Sequence, residues 1–215
     1  MKEPDVVVVA SGQGPSFAVP AAETVVAADG GLDRALALGL DVDVVIGDLD
    51  SVSPAALVAA EAAGVRVVRH PEAKDATDLE LALDEAVSLG ARSALVVASA
   101  EGRLDHLLGL LLLFGSDRYG GVELDAVVGD ALVHTVRRAR ALTGSPGELV
   151  SLLAVGGAAT GVVTDGLEYP LAGETLEAGS SRGVSNVFTG AEARVTVASG
   201  VVLAVRPAPG RQGWW

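Results

Sequence analysis

The residues best suited to chemistry in this sequence are six aspartates that follow short apolar runs. Two of them, Asp48 and Asp50, stand one residue apart in "GDLDS". The other four are Asp29, Asp75, Asp78 and Asp105. Carboxylates that gather at one place raise one another's pKa unless a cation neutralises them. Oxygen ligands without a cluster of His or Cys favour Mg²⁺, with Mn²⁺ as the alternative, over zinc.

Groups that bind phosphate accompany these acids. Magnesium ions in proteins usually keep some waters and share their coordination with substrate phosphates. Lys74, Arg103 and the glycine-rich stretches at 12–14 and 30–31 supply the donors that phosphates need. The residue types therefore predict a site for a phosphorylated small molecule and a divalent ion.

No single motif carries this prediction. A lone D-x-D in a turn is most often a solvated cap, and "DGG" is most often just a turn. The stretch "SGQGPS" lacks both the Walker spacing and the full dinucleotide fingerprint. His106 stands early in a predicted helix, where a polar helix-start residue is the more common role. The prediction depends on the acids meeting at one place.

The predicted secondary structure brings the acids to one place. Strands are predicted at 6–10, 24–28, 42–46, 65–68, 94–98 and 124–128, and helices at 32–38, 54–63, 78–89 and 104–114. Continuous apolar runs indicate strands covered on both faces, as in a parallel sheet with crossover helices. Ser53 before Pro54, and Thr77 in "TDLE", predict capped helix starts. The polar residues then follow the carboxyl ends of the strands, where ligands of such sheets bind.

The sequence pattern changes after about residue 129. Helical periodicity ends, and short β segments separated by glycines follow, among them "ARVTVASGVVLAVR", which predicts a hairpin turning at Ser199 and Gly200. We therefore expect an α/β domain at 1–130 and an all-β domain at 131–215. No role is predicted for the tail that ends in Trp214 and Trp215.

Composition narrows the classes of partner. The formal net charge of −13 argues against nucleic-acid binding, which calls for a basic surface, and favours a small-molecule partner. The absence of cysteine excludes disulfides and thiolate metal sites. The N-terminal apolar run is too short for a signal peptide, and no run is long enough for a membrane span. A cytoplasmic protein without a membrane partner is expected.

Taken in order, the motifs "ADGG", "IGDLDS", "KDATD" and "GRLDH" resemble those of thiamine pyrophosphokinases. The later stretches "DGLEYPL" and "GVSNVFTG" resemble segments of the same family, so the resemblance covers nearly the whole chain. It implies an α/β domain that holds Mg-ATP, a β-sandwich-like domain, and a homodimer with thiamine at the subunit interface. The implied reaction transfers pyrophosphate from ATP to the thiamine hydroxyl and releases AMP.

The resemblance also implies roles for individual residues. The implied metal ligands are Asp48, Asp50 and Asp75, which with Arg103 and Asp105 form the catalytic set. The implied ATP-binding residues are Asp29, Gly30, Lys74, Asp78 and Arg103. The implied thiamine-binding residues are Asp105, which orients the acceptor hydroxyl, Tyr169, which stacks on the ring, and Ser185 and Asn186, which hydrogen-bond the aminopyrimidine.

Two positions depart from the family pattern and keep alternatives open. Glu101 stands where the family commonly has a second glycine, and Glu168 replaces the usual lysine of "GLKYPL". The loss of a positive charge keeps open a related pyrophosphokinase that acts on a pterin-type hydroxymethyl acceptor. A non-catalytic nucleotide or thiamine sensor is a further alternative. An aspartyl-phosphate phosphatase is less favoured, because its D-x-D normally follows the first strand rather than the third.

Overall fold

A computed structural model describes residues 3–207 of the chain, so the tail with Trp214 and Trp215 lies outside the described residues. Two compact units divide the chain. The first unit runs up to Leu110 and includes Gly121–Gly129, and the second consists of Leu111–Gly120 and the residues from Asp130 onward. The assignment of 1–130 and 131–215 to two functional domains stays a prediction.

The first unit is an α/β structure built on a parallel sheet, which confirms the predicted fold class. Its strands are β1 (Val6–Val9), β2 (Thr24–Ala28), β3 (Val44–Gly47), β4 (Arg66–Arg69), β5 (Ser93–Ala98) and β6 (Glu123–Val128). They are hydrogen-bonded in the order β6-β5-β1-β2-β3-β4, and all these pairings are parallel. The strand β1 is buried along its whole length, as the unbroken valine run predicts.

The helices of this unit begin close to the predicted positions. They are α1 (Gly31–Ala37), α2 (Pro54–Ala62), α3 (Asp78–Ser88) and α4 (Leu104–Leu113), whose last residues from Leu111 group with the second unit. The predicted caps are confirmed: the side chain of Ser53 accepts the Ala56 N–H, and that of Thr77 accepts the Glu80 N–H. Gly31 lets the first residue of α1 pack closely against the end of β1, because a Cβ at this position would lie 2.0 Å from the Val9 carbonyl oxygen.

The second unit is β-rich and consists of two sheets. Its strands are β7 (Ala131–Val136), β8 (Ala139–Thr143), β9 (Leu149–Ala154), β10 (Ala159–Asp165), β11 (Ala172–Leu176), β12 (Asn186–Val187), β13 (Glu192–Thr196) and β14 (Val202–Arg206). Antiparallel pairing gives the orders β12-β9-β14-β7 and β11-β10-β13-β8. Both sheets contribute side chains to one apolar core, among them Val150, Phe188 and Val195.

The predicted hairpin at Ser199 and Gly200 is wrong. The strand β13 pairs with β8 and β10, whereas β14 pairs with β7 and β9 in the other sheet. The turn therefore carries the chain from one sheet to the other. Alternating apolar residues on both sides of a turn suit a hairpin and a sheet-to-sheet crossing equally well, because both need one buried face.

Within residues 3–207, the structure has no helix that is both long and apolar enough to cross a membrane.

Candidate active site

A cavity of about 810 Å³ opens in the first unit beyond the carboxyl ends of its strands. The order of the strands reverses at β1, which lies between β2 and β5. Such a reversal leaves a crevice at the strand ends, and ligands of open parallel sheets bind there. Residues lining the cavity include Ser11, Gly12, Asp29, Asp48, Lys74, Asp78, Ser99, Arg103, Asp105 and His106.

Asp29 is held rigidly at the end of β2. Its backbone is in the left-handed region, with φ of 48°, and its N–H donates to the Ile46 carbonyl at 2.9 Å. Its side chain is buried and accepts the Ser51 N–H at 3.3 Å. A non-glycine residue in this conformation is uncommon and is often found at functional sites.

Gly47 gives Asp29 and Asp78 room to approach each other. Its φ is +148°, a conformation that residues with a Cβ rarely adopt. A Cβ at this position would lie 2.9 Å from Asp78 Oδ1 and 3.1 Å from Asp29 Cβ. The glycine of "GDLDS" therefore shapes the cluster as directly as the acids do.

Lys74 bridges two of the acids. Its Nζ donates to Asp48 Oδ2 at 2.9 Å and lies 3.0 Å from Asp78 Oδ1. The hydrogen bond from Lys74 lowers the pKa of Asp48. Burial alone would lower the pKa of Lys74, but its pairing with Asp48 and Asp78 outweighs burial and raises that pKa. The lysine stays charged and partly neutralises the two carboxylates.

Three of the predicted acids form one cluster. Ligand oxygens of Asp29, Asp48 and Asp78 all lie within 4.8 Å of one another. Asp50 and Asp75 are exposed and lie outside this group. Asp50 instead accepts a hydrogen bond from the hydroxyl of its neighbour Ser51 at 2.8 Å. The assignment of Asp50 and Asp75 as metal ligands stays a prediction.

Leu49 separates the two acids of "GDLDS". Residues i and i+2 of an extended strand point to the same face, so that Asp48 and Asp50 would be expected to act together. Leu49 has φ of 65°, which breaks this alternation, and its side chain is buried. Asp48 consequently joins the cluster while Asp50 is exposed.

The residues of the cluster suit a hard divalent cation. Carboxylate oxygens are the donors that Mg²⁺ and Mn²⁺ prefer. The Oδ1 atom of Asp78 is buried, and among the described residues its ion-pair partner is Lys74, whose Nζ lies 3.0 Å away. A buried carboxylate oxygen with spare capacity is a natural metal ligand.

Arg103 and Asp105 form an exposed pair at the start of α4. The guanidinium of Arg103 donates to Asp105 Oδ1 at 3.2 Å through Nε and to Oδ2 at 2.6 Å through a terminal nitrogen. This two-pronged bond lowers the pKa of Asp105 to about 2. Glu101, the departure from the family pattern, lines the same cavity.

Gly30 and Asp33, the second of which no sequence motif singles out, shape the loops beside the acids. A Cβ on Gly30 would lie 3.0 Å from Ser11 Oγ and 3.1 Å from the Ser51 carbonyl oxygen, so the glycine lets these loops approach. Asp33 accepts both the N–H and the hydroxyl of Ser53, which ties α1 to the start of α2 and lowers the pKa of Asp33. In the sequence, the only indication of this role was the position of Asp33 in the first turn of a predicted helix.

The predicted thiamine-binding residues of the second unit are arranged around Asn186. Asn186 is 5% exposed, and its Oδ1 accepts the Tyr169 N–H at 3.0 Å. Its Nδ2 donates to the Tyr169 carbonyl at 2.8 Å. Tyr169 itself is 62% exposed. Asn186 and Tyr169 are thus brought together through the main chain of the tyrosine, and the ring is left open to a ligand.

Ser185 is the exposed neighbour of Asn186. It has φ of 61°, in the left-handed region, and its N–H donates to Ser151 Oγ at 3.1 Å. Glu168, the second departure from the family pattern, is exposed, and its N–H donates to the Val187 carbonyl at 2.9 Å. Left-handed backbone conformations such as that of Ser185 are often found at ligand sites.

Two family models match the chain. The model described as Thiamin pyrophosphokinase, catalytic domain, matches residues 18–118. The model described as Thiamin pyrophosphokinase, vitamin B1 binding domain, matches residues 133–202. A comparison with curated proteins found no match.

Solved structures with the same fold include thiamine pyrophosphokinases from bacteria and yeasts. The one from Bacillus subtilis is 21% identical, with a TM-score of 0.79 over 94% of this chain and 99% of that chain. The one from Geobacillus thermodenitrificans is 23% identical, with a TM-score of 0.75 over 98% and 99%. The one from Candida albicans is 13% identical, with a TM-score of 0.74 over 95% and 89%. At these identities the likeness shows the shared fold.

Proposed function

The chain belongs to the thiamin pyrophosphokinase family and is therefore an enzyme, and from this premise we propose that it transfers pyrophosphate from Mg-ATP to thiamine. The products would be thiamine diphosphate and AMP. The family implies ATP as co-substrate, and the vitamin B1 binding model supports thiamine as the acceptor. The observation that carries the proposal is the cluster of Asp29, Asp48 and Asp78 with Lys74, which lines the cavity of the first unit.

We infer that the three clustered acids hold the metal ion. Asp50 and Asp75, which are exposed, would reach it through water, since Mg²⁺ keeps several waters in most protein sites. The bound ion would neutralise charge on the polyphosphate and polarise it. Lys74 and Arg103 would bind phosphate oxygens, and Gly30 would allow the close loop packing around them.

Asp105 is proposed to orient the acceptor hydroxyl rather than to deprotonate it. A group with a pKa of about 2 is ionised at neutral pH and is a weak base. Its carboxylate accepts a hydrogen bond readily, and this would align the hydroxyl oxygen with the phosphorus. Positioning and charge stabilisation are the main contributions that phosphoryl-transfer enzymes make.

The second unit is proposed to bind thiamine. The exposed ring of Tyr169 offers an aromatic face to the cationic thiazolium or to the pyrimidine, and Ser185 offers a hydroxyl beside it. Asn186, next to Ser185 in sequence, hydrogen-bonds the main chain of Tyr169. A homodimer with thiamine at the subunit interface, in the cytoplasm, completes the proposal, and sedimentation of the purified protein tests its dimeric state.

The test is to incubate the purified protein with Mg-ATP and thiamine and to quantify nucleotides and thiamine esters. AMP and thiamine diphosphate are expected in equal amounts, with no turnover in the presence of a chelator. ADP as the sole nucleotide product would overturn pyrophosphate transfer. The absence of any thiamine-dependent turnover would favour a sensor.

A pterin-type hydroxymethyl acceptor is the alternative left open by the loss of the family's lysine at Glu168. A carboxylate near the acceptor site favours a cation such as thiamine over a neutral pterin. The same assay with a hydroxymethylpterin in place of thiamine separates the two. Glu168→Lys should raise the KM for thiamine by no more than a few-fold, because exposed charges interact weakly.

A further inference from the structure

We propose that Asn186 is a positioning residue: its side-chain amide acts as a substitute peptide group that fixes the main chain of Tyr169, and it does not contact the substrate. The inference rests on the proposed function for the identity of the ligand. The hydrogen bonds that carry it do not depend on that function.

The side chain of Asn186 forms its hydrogen bonds with the protein's own main chain. Its Oδ1 accepts two N–H groups, from Tyr169 at 3.0 Å and from Val187 at 2.9 Å. Its Nδ2 donates to the Tyr169 carbonyl at 2.8 Å. An amide oxygen has two lone pairs, so the oxygen of Asn186 is saturated. The amino group of an aminopyrimidine is a donor and would find no acceptor on this side chain.

The paired bonds to Tyr169 extend a backbone ladder. Leu167 and Phe188 form an antiparallel bridge, and the Glu168 N–H donates to the Val187 carbonyl at 2.9 Å. At the next residue, Tyr169, both the N–H and the C=O pair with the Asn186 side chain instead of with a peptide group. The side chain thus continues the ladder by one residue.

The hydrogen bonds from Asn186 fix the main chain that carries the exposed ring of Tyr169. Tyr169 precedes Pro170, which lacks an N–H and favours an extended conformation at the residue before it. The ring of Tyr169 is 62% exposed, so packing contributes little to its direction. The two bonds from Asn186 and the proline therefore set the backbone of Tyr169, and with it the direction in which the Cα–Cβ bond projects the ring. Direct polar contact with the substrate falls to the exposed Ser185.

A double-mutant cycle tests the assignment. Asn186→Ala should raise the KM and Kd for thiamine about 10-fold and leave the KM for ATP within 2-fold. In a Tyr169→Ala background, Asn186→Ala should add less than 2-fold, because the ring it positions is already gone. If Asn186 contacts thiamine, the two effects will multiply, and this result would overturn the proposal.

Asn186→Asp separates the two roles in a folded variant. Aspartate keeps the oxygen that accepts the N–H groups but places a second oxygen against the Tyr169 carbonyl. We expect a several-fold higher KM for thiamine. A direct contact in which Asn186 accepts from the amino group of the aminopyrimidine predicts an unchanged or lower KM, since a carboxylate is the stronger acceptor. Val195→Ala, a core truncation in β13, is the control for general destabilisation and should leave the KM for thiamine unchanged.

Hydrogen exchange at the Tyr169 amide gives a readout without substrate. Exchange should accelerate at least 10-fold in Asn186→Ala and stay near the parent rate in Val195→Ala. Unchanged exchange in Asn186→Ala would sink the inference even if activity falls. If the parent protein binds no thiamine by calorimetry, the proposed function fails, and the exchange result still decides whether Asn186 holds Tyr169.

Discussion

The acidic cluster of the first unit and the Asn186–Tyr169 pair of the second unit are built in opposite ways. In the cluster, carboxylates of like charge lie within 4.8 Å of one another, and Lys74 neutralises them only in part. In the pair, a neutral buried amide has its oxygen fully hydrogen-bonded. The cluster would gain stability from a bound cation, whereas the hydrogen bonds of the pair are formed without a ligand. The predictions below test this contrast.

The largest expected effect is on the cluster itself. Asp48→Asn should lower turnover by at least about 100-fold, because it removes a carboxylate that would hold the proposed metal ion beside the phosphates. Asp50→Asn is the comparison variant, since it changes the same residue type two positions away at a residue that the proposal connects to the ion through water. If Asp50 contacts the ion directly, turnover of Asp50→Asn should also fall by at least about two orders of magnitude.

Steady-state kinetics of both variants, with circular dichroism to confirm folding, measure the difference. Loss of activity confined to Asp48→Asn would limit the metal site to the cluster of Asp29, Asp48 and Asp78. Near-normal activity in Asp48→Asn would remove the cluster from the reaction altogether.

A smaller but still clear effect is expected at Gly47. Gly47→Ala would place a Cβ against Asp78 and Asp29 in a backbone conformation that costs about 1–3 kcal/mol for a residue with a side chain. We expect a lower midpoint of denaturation and at least about 10-fold lower turnover. Gly39→Ala also has positive φ but open space around it, so it should lose stability without losing turnover per folded molecule.

Lys74 tests whether the cluster is electrostatically incomplete. Lys74→Met should bind Mn²⁺ about 3- to 10-fold more tightly without nucleotide, because the ammonium group no longer competes for Asp48 and Asp78. The KM for ATP should rise in the same variant, since a phosphate-binding cation is lost. Titration followed by Mn²⁺ relaxation or electron paramagnetic resonance measures the first effect. Weaker Mn²⁺ binding would show that the lysine supports the metal site instead.

The smallest effect concerns the ionisation of Asp105. Its folded pKa of about 2 lies below the ordinary value of 3.8, so its pairing with Arg103 stabilises the protein above pH 4 and is lost as the pH falls towards 2. Carboxyl carbon NMR of the protein should show Asp105 ionised at pH 3. Arg103→Gln should return its pKa to the ordinary range. An unchanged titration in that variant would contradict the pairing.

Local patterns in the sequence predicted much of the fold. Continuous valine runs gave the buried parallel strands, and Ser53 and Thr77 gave the helix starts, because each depends on neighbours within a few residues. The parallel sheet in turn placed Asp29, Asp48 and Asp78 at one edge. Their meeting could be expected because each follows the carboxyl end of a predicted parallel strand.

Other features depended on backbone conformations and distant partners that no local pattern reports. The positive φ of Leu49 separates Asp48 from Asp50, although the spacing of two favours joint action. The turn at Gly200 changes sheets, although its residues suit a hairpin. The side chain of Asn186 hydrogen-bonds the main chain of Tyr169, 17 residues away in sequence, which no motif around either residue indicates.

The position of β14 has a consequence for how the protein is made. This strand, Val202–Arg206, lies between β7 and β9 in its sheet although it comes late in the chain. While the polypeptide is being synthesised, β7 and β9 leave the ribosome with hydrogen-bonding edges that have no partner until residue 206 is available. The half-buried Glu148 likewise lacks its partner until Arg206 is made, because the buried guanidinium of Arg206 donates to it at 2.7 Å. The second unit therefore completes its fold only after nearly all of it has been translated, and ribosome-stalled chains that lack β14 should be open to aggregation and proteolysis.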